Sequence, residues 1–212
     1  FVRTGGCDYR CTWCDTPHAV KSTFRSEWRA MSAEEILAMV RTLAGPEPLL
    51  ISLSGGNPAL QPLGELLALG KAAGYAFAME TQGSVVKEWF AGLDILTLSP
   101  KPPSSGMTAD RQQLQACLDG AAMASVSLKF VIADETDYFF ARQVAAWFPQ
   151  LPVYLQPCNP LSAEDLDREP VDIEKNCAQL RWIIGRVVAD AWYSVRVLPQ
   201  LHVLLWGNKR GV

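Results

Sequence analysis

The chain has 212 residues, 49% hydrophobic and 19% charged, with 19 basic against 22 acidic side chains and a net charge of −3. That length suits one domain with a sizeable core, and the composition excludes a disordered or fibrous chain. The acidic balance argues against direct nucleic-acid binding, and no apolar run reaches bilayer length, Leu49–Leu53 being strand-sized. Phe1–Thr4 reads as the tail of a strand. Ser32 and Glu35 have the spacing of a capping box, opening a helix whose core face is Ile36, Leu37, Val40 and Leu43. Leu49–Leu53 follows as a buried strand, then a Gly-Gly turn. Leu63–Ala73 reads as helix, Tyr75–Glu80 and Asp94–Leu98 as strands. The second half repeats the pattern: helix over Asp110–Ala121, strand over Val126–Ile132, helix over Thr136–Phe148, strand over Val153–Gln156. A long helix over Ile173–Ala189 and a last strand over Tyr193–Leu198 complete it. Trp147, Phe148 and Trp182 are expected in the core.

Strand–helix alternation with apolar strands argues an α/β fold, a parallel sheet covered by helices. Six or seven strands are too few for a closed eight-stranded barrel, so a partial (β/α) barrel of about six strands is expected. In that architecture the loops after the strands carry chemistry. Those loops hold Gly5-Gly6-Cys7, Ser54-Gly55-Gly56-Asn57-Pro58, Glu80-Thr81-Gln82-Gly83, Ser99-Pro100-Lys101 and Gln156-Pro157.

Three of the six cysteines, Cys7, Cys11 and Cys14, form a C-x3-C-x2-C run. Three thiolates on so short a loop can face a common point. A structural zinc would need a fourth ligand, for which His18 is the nearest candidate. A 4Fe–4S cluster held by three cysteines would instead leave one iron with an open coordination position. Cys117, Cys158 and Cys177 stand apart and are expected to pack as small apolar residues, with Cys158 nearest the rim.

With Trp13 just before its last cysteine, the run resembles the signature of the radical S-adenosylmethionine superfamily. Ser54-Gly55-Gly56-Asn57-Pro58 is similar to that superfamily's Gly-Gly-Glu-Pro segment, with Asn57 in place of the commoner glutamate. Other stretches resemble the 7-carboxy-7-deazaguanine synthase family from end to end. They are Phe1–Cys7, Cys14-Asp15-Thr16, Glu80–Gly83, Ser99–Ser105, Leu155–Pro157 and the closing Leu198–Val212. Members usually begin with a further strand and a Gln-Gly-Glu-Gly loop. The expectation is therefore a single domain over residues 1–212 lacking that N-terminal strand and loop.

The resemblance implies conversion of 6-carboxy-5,6,7,8-tetrahydropterin to 7-carboxy-7-deazaguanine with loss of ammonia, in queuosine and 7-deazapurine biosynthesis. It implies a 4Fe–4S cluster on Cys7, Cys11 and Cys14, S-adenosylmethionine, and Mg²⁺ held by Thr16. It also implies cofactor contacts from Trp13, Gly55, Gly56, Asn57, Ser99, Lys101 and Gln156. Substrate contacts fall to Arg3, Ser54, Glu80 and His202. An arginine fork suits a pterin carboxylate, and a carboxylate suits the pterin's guanidine-like edge. Read alone, Thr16 is a helix cap, Arg3 a surface residue, Glu80 half of a salt bridge and His202 a core histidine. A reductant such as flavodoxin, a homodimer and a cytoplasmic location complete what the resemblance implies. A glycyl-radical activase, sharing the cluster motif, and a zinc-knuckle binding module are the alternatives.

Overall fold

Each β-strand after the first is reached through at least one helical turn, and the strands follow the chain in the order β1 to β7. They are β1 (Val2–Thr4), β2 (Leu50–Gly55), β3 (Ala76–Thr81), β4 (Ile95–Leu98), β5 (Ser125–Ile132), β6 (Val153–Pro157) and β7 (Val195–Val197). The helices are α1 (Pro17–Val20), α2 (Ala33–Ala44), α3 (Gly64–Ala72), α4 (Arg111–Gly120), α5 (Glu135–Trp147), α6 (Ile173–Ala189) and α7 (Leu201–Trp206). This computed structural model describes residues 1–159 and 171–209; the last three residues of the closing segment, Arg210, Gly211 and Val212, lie outside them. The sheet is open, with seven strands, within the six or seven expected for a partial barrel. Among the described residues no helix is long and apolar enough to cross a membrane.

The described residues fall into two compact units. The first comprises Phe1–Asp8, His18–Leu98 and Asp110–Val126, and the second Tyr9–Pro17, Ser99–Ala109 and Ser127–Val212.

In the first unit β1, β2, β3 and β4 pair in parallel, with Arg3 opposite Ser54 and Glu80 opposite Thr97. Alternate residues of a strand point to opposite faces. One face carries Ile51, Leu53, Phe77, Met79, Leu96 and Leu98, all essentially inaccessible, with Leu37 of α2, Leu66 of α3 and Leu114 of α4 also in the core. Each such side chain contributes roughly 1.5–3 kcal/mol. Helix α3 packs on β3 at Gly70, where a Cβ would stand 2.3 Å from the Phe77 ring. The other face carries Arg3, Ser52, Ser54, Ala78, Glu80 and Thr97, half-buried apart from the exposed Arg3. The capping box forms as expected: the Glu35 N–H donates to Ser32 Oγ at 3.2 Å and the Ser32 N–H to Glu35 Oε2 at 2.8 Å.

In the second unit β5, β6 and β7 pair in parallel, with Lys129, Tyr154 and Arg196 in register. Phe130, Ile132 and Leu155 fill its core with Tyr138, Val144 and Phe148 of the α5 region and Ile183 of α6.

Periodicity identified faces better than depth. Leu43, expected in the core, is 79% exposed, because only the first turns of α2 supply buried residues, Ala33 and Leu37. Leu49 and Leu50 are exposed at the entry to β2, so that strand is buried only from Ile51. Trp147 and Trp182 are half-buried; Phe148 is the one of the three in the core.

Candidate active site

In the first unit the loop after β1 is held by its own backbone. The Gly6 N–H donates to the Ala19 carbonyl (2.7 Å), and the Asn57 N–H to the Gly6 carbonyl (2.8 Å). Gly56 N–H reaches the Thr4 carbonyl at 3.1 Å. This closeness explains the Gly-Gly pair. A Cβ on Gly56 would lie 2.1 Å from the Gly6 oxygen, and Gly55, at φ 144°, would place one 2.2 Å from the Thr4 oxygen. The glycines are required by the approach of the Cys7 loop itself.

Asn57 is completely buried, and its side chain is fully engaged. Its Nδ2 donates to Asp8 Oδ1 (2.9 Å) and Ser84 Oγ (3.2 Å); its Oδ1 accepts from the Ala59 N–H (3.2 Å) and Thr81 Oγ1 (2.8 Å). Buried amides are costly unless satisfied in this way. Gln82, also buried, donates from Nε2 to the same Asp8 oxygen (2.7 Å) and to Cys7 Sγ (3.7 Å). Asp8 and Gln82 thus belong to the environment of Cys7, although sequence reasoning gave neither a role. Their signal was position alone, beside the first cysteine and two residues after Glu80.

Arg3, Ser54 and Glu80 share the polar face of this sheet near the strand ends, in adjacent registers. Arg3 is exposed rather than turned inward, with its guanidinium 4.9 Å above the Phe1 ring. Thr97, in register with Glu80, extends the polar row and was missed; a hydroxyl alternating with leucines in β4 was its signal. His18 is half-buried, and its carbonyl accepts the Trp28 indole N–H at 2.7 Å.

In the second unit, Cys11 and Cys14 close a turn through a 3.3 Å bond from the Cys14 N–H to the Cys11 carbonyl. Thr16 Oγ1 stands 3.7 Å from Cys14 Sγ. Trp13 donates its indole N–H to Ser104 Oγ at 2.8 Å. Ser99, almost fully buried, accepts from Lys101 Nζ at 3.0 Å, so these two positions meet. Gln156 donates to the Pro199 carbonyl at 3.2 Å. His202 is exposed on the first turn of α7, which removes the core-histidine reading. Lys129, Tyr154 and Arg196 form a further polar row, with Arg196 5.5 Å above the Tyr154 ring.

None of the six cysteines is in a disulfide. Burial pushes the Cys117 and Cys158 thiols up to about 12, consistent with packing roles. Cys177 is half-buried. Cys7, Cys11 and Cys14 are half-buried, and their soft thiolates suit iron and sulfide rather than a hard cation. Among the described residues no three His, Cys, Asp or Glu side chains gather into a preformed metal cage. The fit to a cluster is thus one of donor chemistry and loop spacing.

Residues 1–99 match the family described as the Radical SAM superfamily. The chain is 41% identical over its whole length to the 7-carboxy-7-deazaguanine synthase of Bacillus subtilis (strain 168), covering 89% of that protein. It is 38% identical, with the same coverage of both chains, to the protein of that name from Bacillus cereus. Among solved structures, QueE from Escherichia coli superposes over 94% of this chain and 84% of its own with a TM-score of 0.64. At 22% identity it speaks for the fold alone.

Proposed function

The chain belongs to the 7-carboxy-7-deazaguanine synthase family and is a radical SAM enzyme, and from that premise we propose that it rearranges 6-carboxy-5,6,7,8-tetrahydropterin to 7-carboxy-7-deazaguanine with release of ammonia. The observation that carries this reading is 41% identity along the whole chain to a relative of that name. The family implies a 4Fe–4S cluster and S-adenosylmethionine. Neither the zinc module nor the glycyl-radical activase has a comparable observation in its favour.

Cys7, Cys11 and Cys14 would hold the cluster. When bound and reduced, such a cluster with an open iron position supplies the electron that cleaves S-adenosylmethionine. Trp13 supports the cysteine turn. Gly55 and Gly56 offer the cofactor backbone polar groups, while Asn57, with its side chain engaged, serves by holding Asp8. Ser99 with Lys101, and Gln156, present polar atoms for the cofactor's ribose and carboxylate. Ser54 and Glu80 line the polar sheet face, where Glu80 accepts the donor edge of the pterin and Arg3 pairs with its carboxylate. Thr16 supplies a hydroxyl to Mg²⁺, a hard cation suited to oxygen. His202, exposed on a short helix, is accessible for substrate contact. A single-electron reductant such as flavodoxin, a homodimeric state and a cytoplasmic location belong to the same reading.

Anaerobically reconstituted protein should form the deazaguanine product from the carboxylated pterin with S-adenosylmethionine, Mg²⁺ and reductant. Protein carrying iron and sulfide that cleaves the cofactor yet yields no such product would overturn the substrate assignment. Zinc without sulfide would overturn the enzyme reading altogether.

A further inference from the structure

The second unit contains a buried carboxylate with no part in the roles above. Asp137, in the first turn of α5, has no accessible surface. Its Oδ1 accepts the Ser104 N–H at 3.1 Å. Its Oδ2 accepts the Ser104 hydroxyl at 2.5 Å and the Ala133 N–H at 2.9 Å. Its own N–H donates to the N-cap, Asp134, at 2.9 Å. The carboxylate acts here as an acceptor, and the Ser104 N–H, the Ser104 hydroxyl and the Ala133 N–H are its donors.

Ser104 passes this arrangement on. Because its hydroxyl proton is committed to Asp137, its oxygen lone pairs are left for the Trp13 indole N–H, which can only donate (2.8 Å). The Ser104 carbonyl accepts from Thr12 Oγ1 at 2.7 Å, and the Ser105 carbonyl from the Thr12 N–H at 3.0 Å. Both residues between Cys11 and Cys14 are therefore pinned to one short segment, and Asp137 clamps that segment twice. The direction of the chain is fixed from indole to hydroxyl to carboxylate. An amide at position 137 would set a donor against a donor.

We propose that Asp137 and Ser104 are positioning residues for the cluster-ligating turn, holding Thr12 and Trp13 so that Cys11 and Cys14 present their thiolates in one fixed arrangement. The proposal rests on the reading of Cys11 and Cys14 as cluster ligands. A turn anchored in this way should retain its cluster against chelators and give it one electronic environment. If Asp137 served only as a helix-end residue, the fold would depend on it and the cluster would not.

The test uses reconstituted holoenzyme with Asp137→Asn, Ser104→Ala, Ser104→Thr and Cys14→Ala. It reads iron release to a chelator and the electron paramagnetic resonance spectrum of the reduced cluster, with and without S-adenosylmethionine. Asp137→Asn and Ser104→Ala should release iron about tenfold faster, the equivalent of one charge-assisted hydrogen bond, and broaden or shift the spectrum. Ser104→Thr, which keeps the hydroxyl, should stay near wild type. Wild-type release and spectrum in folded Ser104→Ala would overturn the proposal, and that variant decides the matter if Asp137→Asn does not fold. An unchanged cluster in Cys14→Ala would overturn the ligand reading instead.

Discussion

Asn57 and Asp8 are joined by a 2.9 Å hydrogen bond from the Asn57 amide to a carboxylate oxygen beside the first cysteine. At the position where the superfamily commonly carries a glutamate, a donor is therefore in use. A carboxylate here would face Asp8 across the same distance. Asn57→Asp should destabilise the protein by about 3 kcal/mol at neutral pH, the scale of an uncompensated buried charge. Repulsion and burial raise the introduced group's pKa, so the penalty is full above that pKa and recedes as pH falls through it. Urea unfolding at pH 7.5 and pH 5 checks this, and a larger loss at the lower pH would contradict it.

Gln82 places one amide nitrogen 2.7 Å from Asp8 Oδ1 and 3.7 Å from Cys7 Sγ. Hydrogen bonds to ligand sulfurs stabilise the reduced state of iron–sulfur clusters. With Cys7 as a ligand of the proposed cluster, Gln82→Leu should make the cluster's potential more negative by about 40 mV, the equivalent of a hydrogen bond of about 1 kcal/mol in a one-electron couple. A spectroscopic redox titration measures it, and an unchanged or more positive potential would contradict it.

Much of this arrangement could be seen in the chain before any fold was known. The Ser32–Glu35 cap, the strand–helix alternation and the cysteine loop are local patterns, with partners a few residues apart. Asp137 with Ser104, and Gln82 with Cys7, are separated by 33 and 75 residues, and spacing along a chain does not disclose such pairs. Periodicity placed Leu43 and Trp182 on an inward face, but depth depends on what covers that face. The Gly-Gly motif was visible, whereas its neighbour, the backbone of the Cys7 loop, was not.

Gly56→Ala should be among the most damaging small substitutions, because its methyl would meet a backbone oxygen rather than a yielding side chain. A cost of about 1–3 kcal/mol is expected from the overpacking, together with loss of iron binding. Denaturant unfolding and iron content measure the two effects. A variant with wild-type values of both would show that the Gly6 loop can move aside.

Burial sets the thiols apart chemically. With their pKa values pushed up to about 12, Cys117 and Cys158 hold only roughly one part in ten thousand as thiolate at pH 8. In folded, metal-free protein, iodoacetamide at pH 8 should modify Cys7, Cys11 and Cys14 well before either. Unfolding in urea should bring the rates of Cys117 and Cys158 up to those of the loop cysteines. Peptide mass spectrometry reads the order, and early labelling of Cys158 would refute it.

The backbone bonds between the first loop and Gly56–Asn57 also impose a sequence of events during biosynthesis. The Asn57 N–H that grips the Gly6 carbonyl lies about fifty residues further along, so the ribosome delivers Cys7 long before its partner strand. At roughly 5–20 residues per second, the thiol loop spends a few seconds without that support. On the proposed reading of Cys7 as a cluster ligand, delivery of iron and sulfide to it belongs after the docking of β2. In an expression host, slowed translation through residues 8–57 should lower cluster occupancy without altering a single side chain.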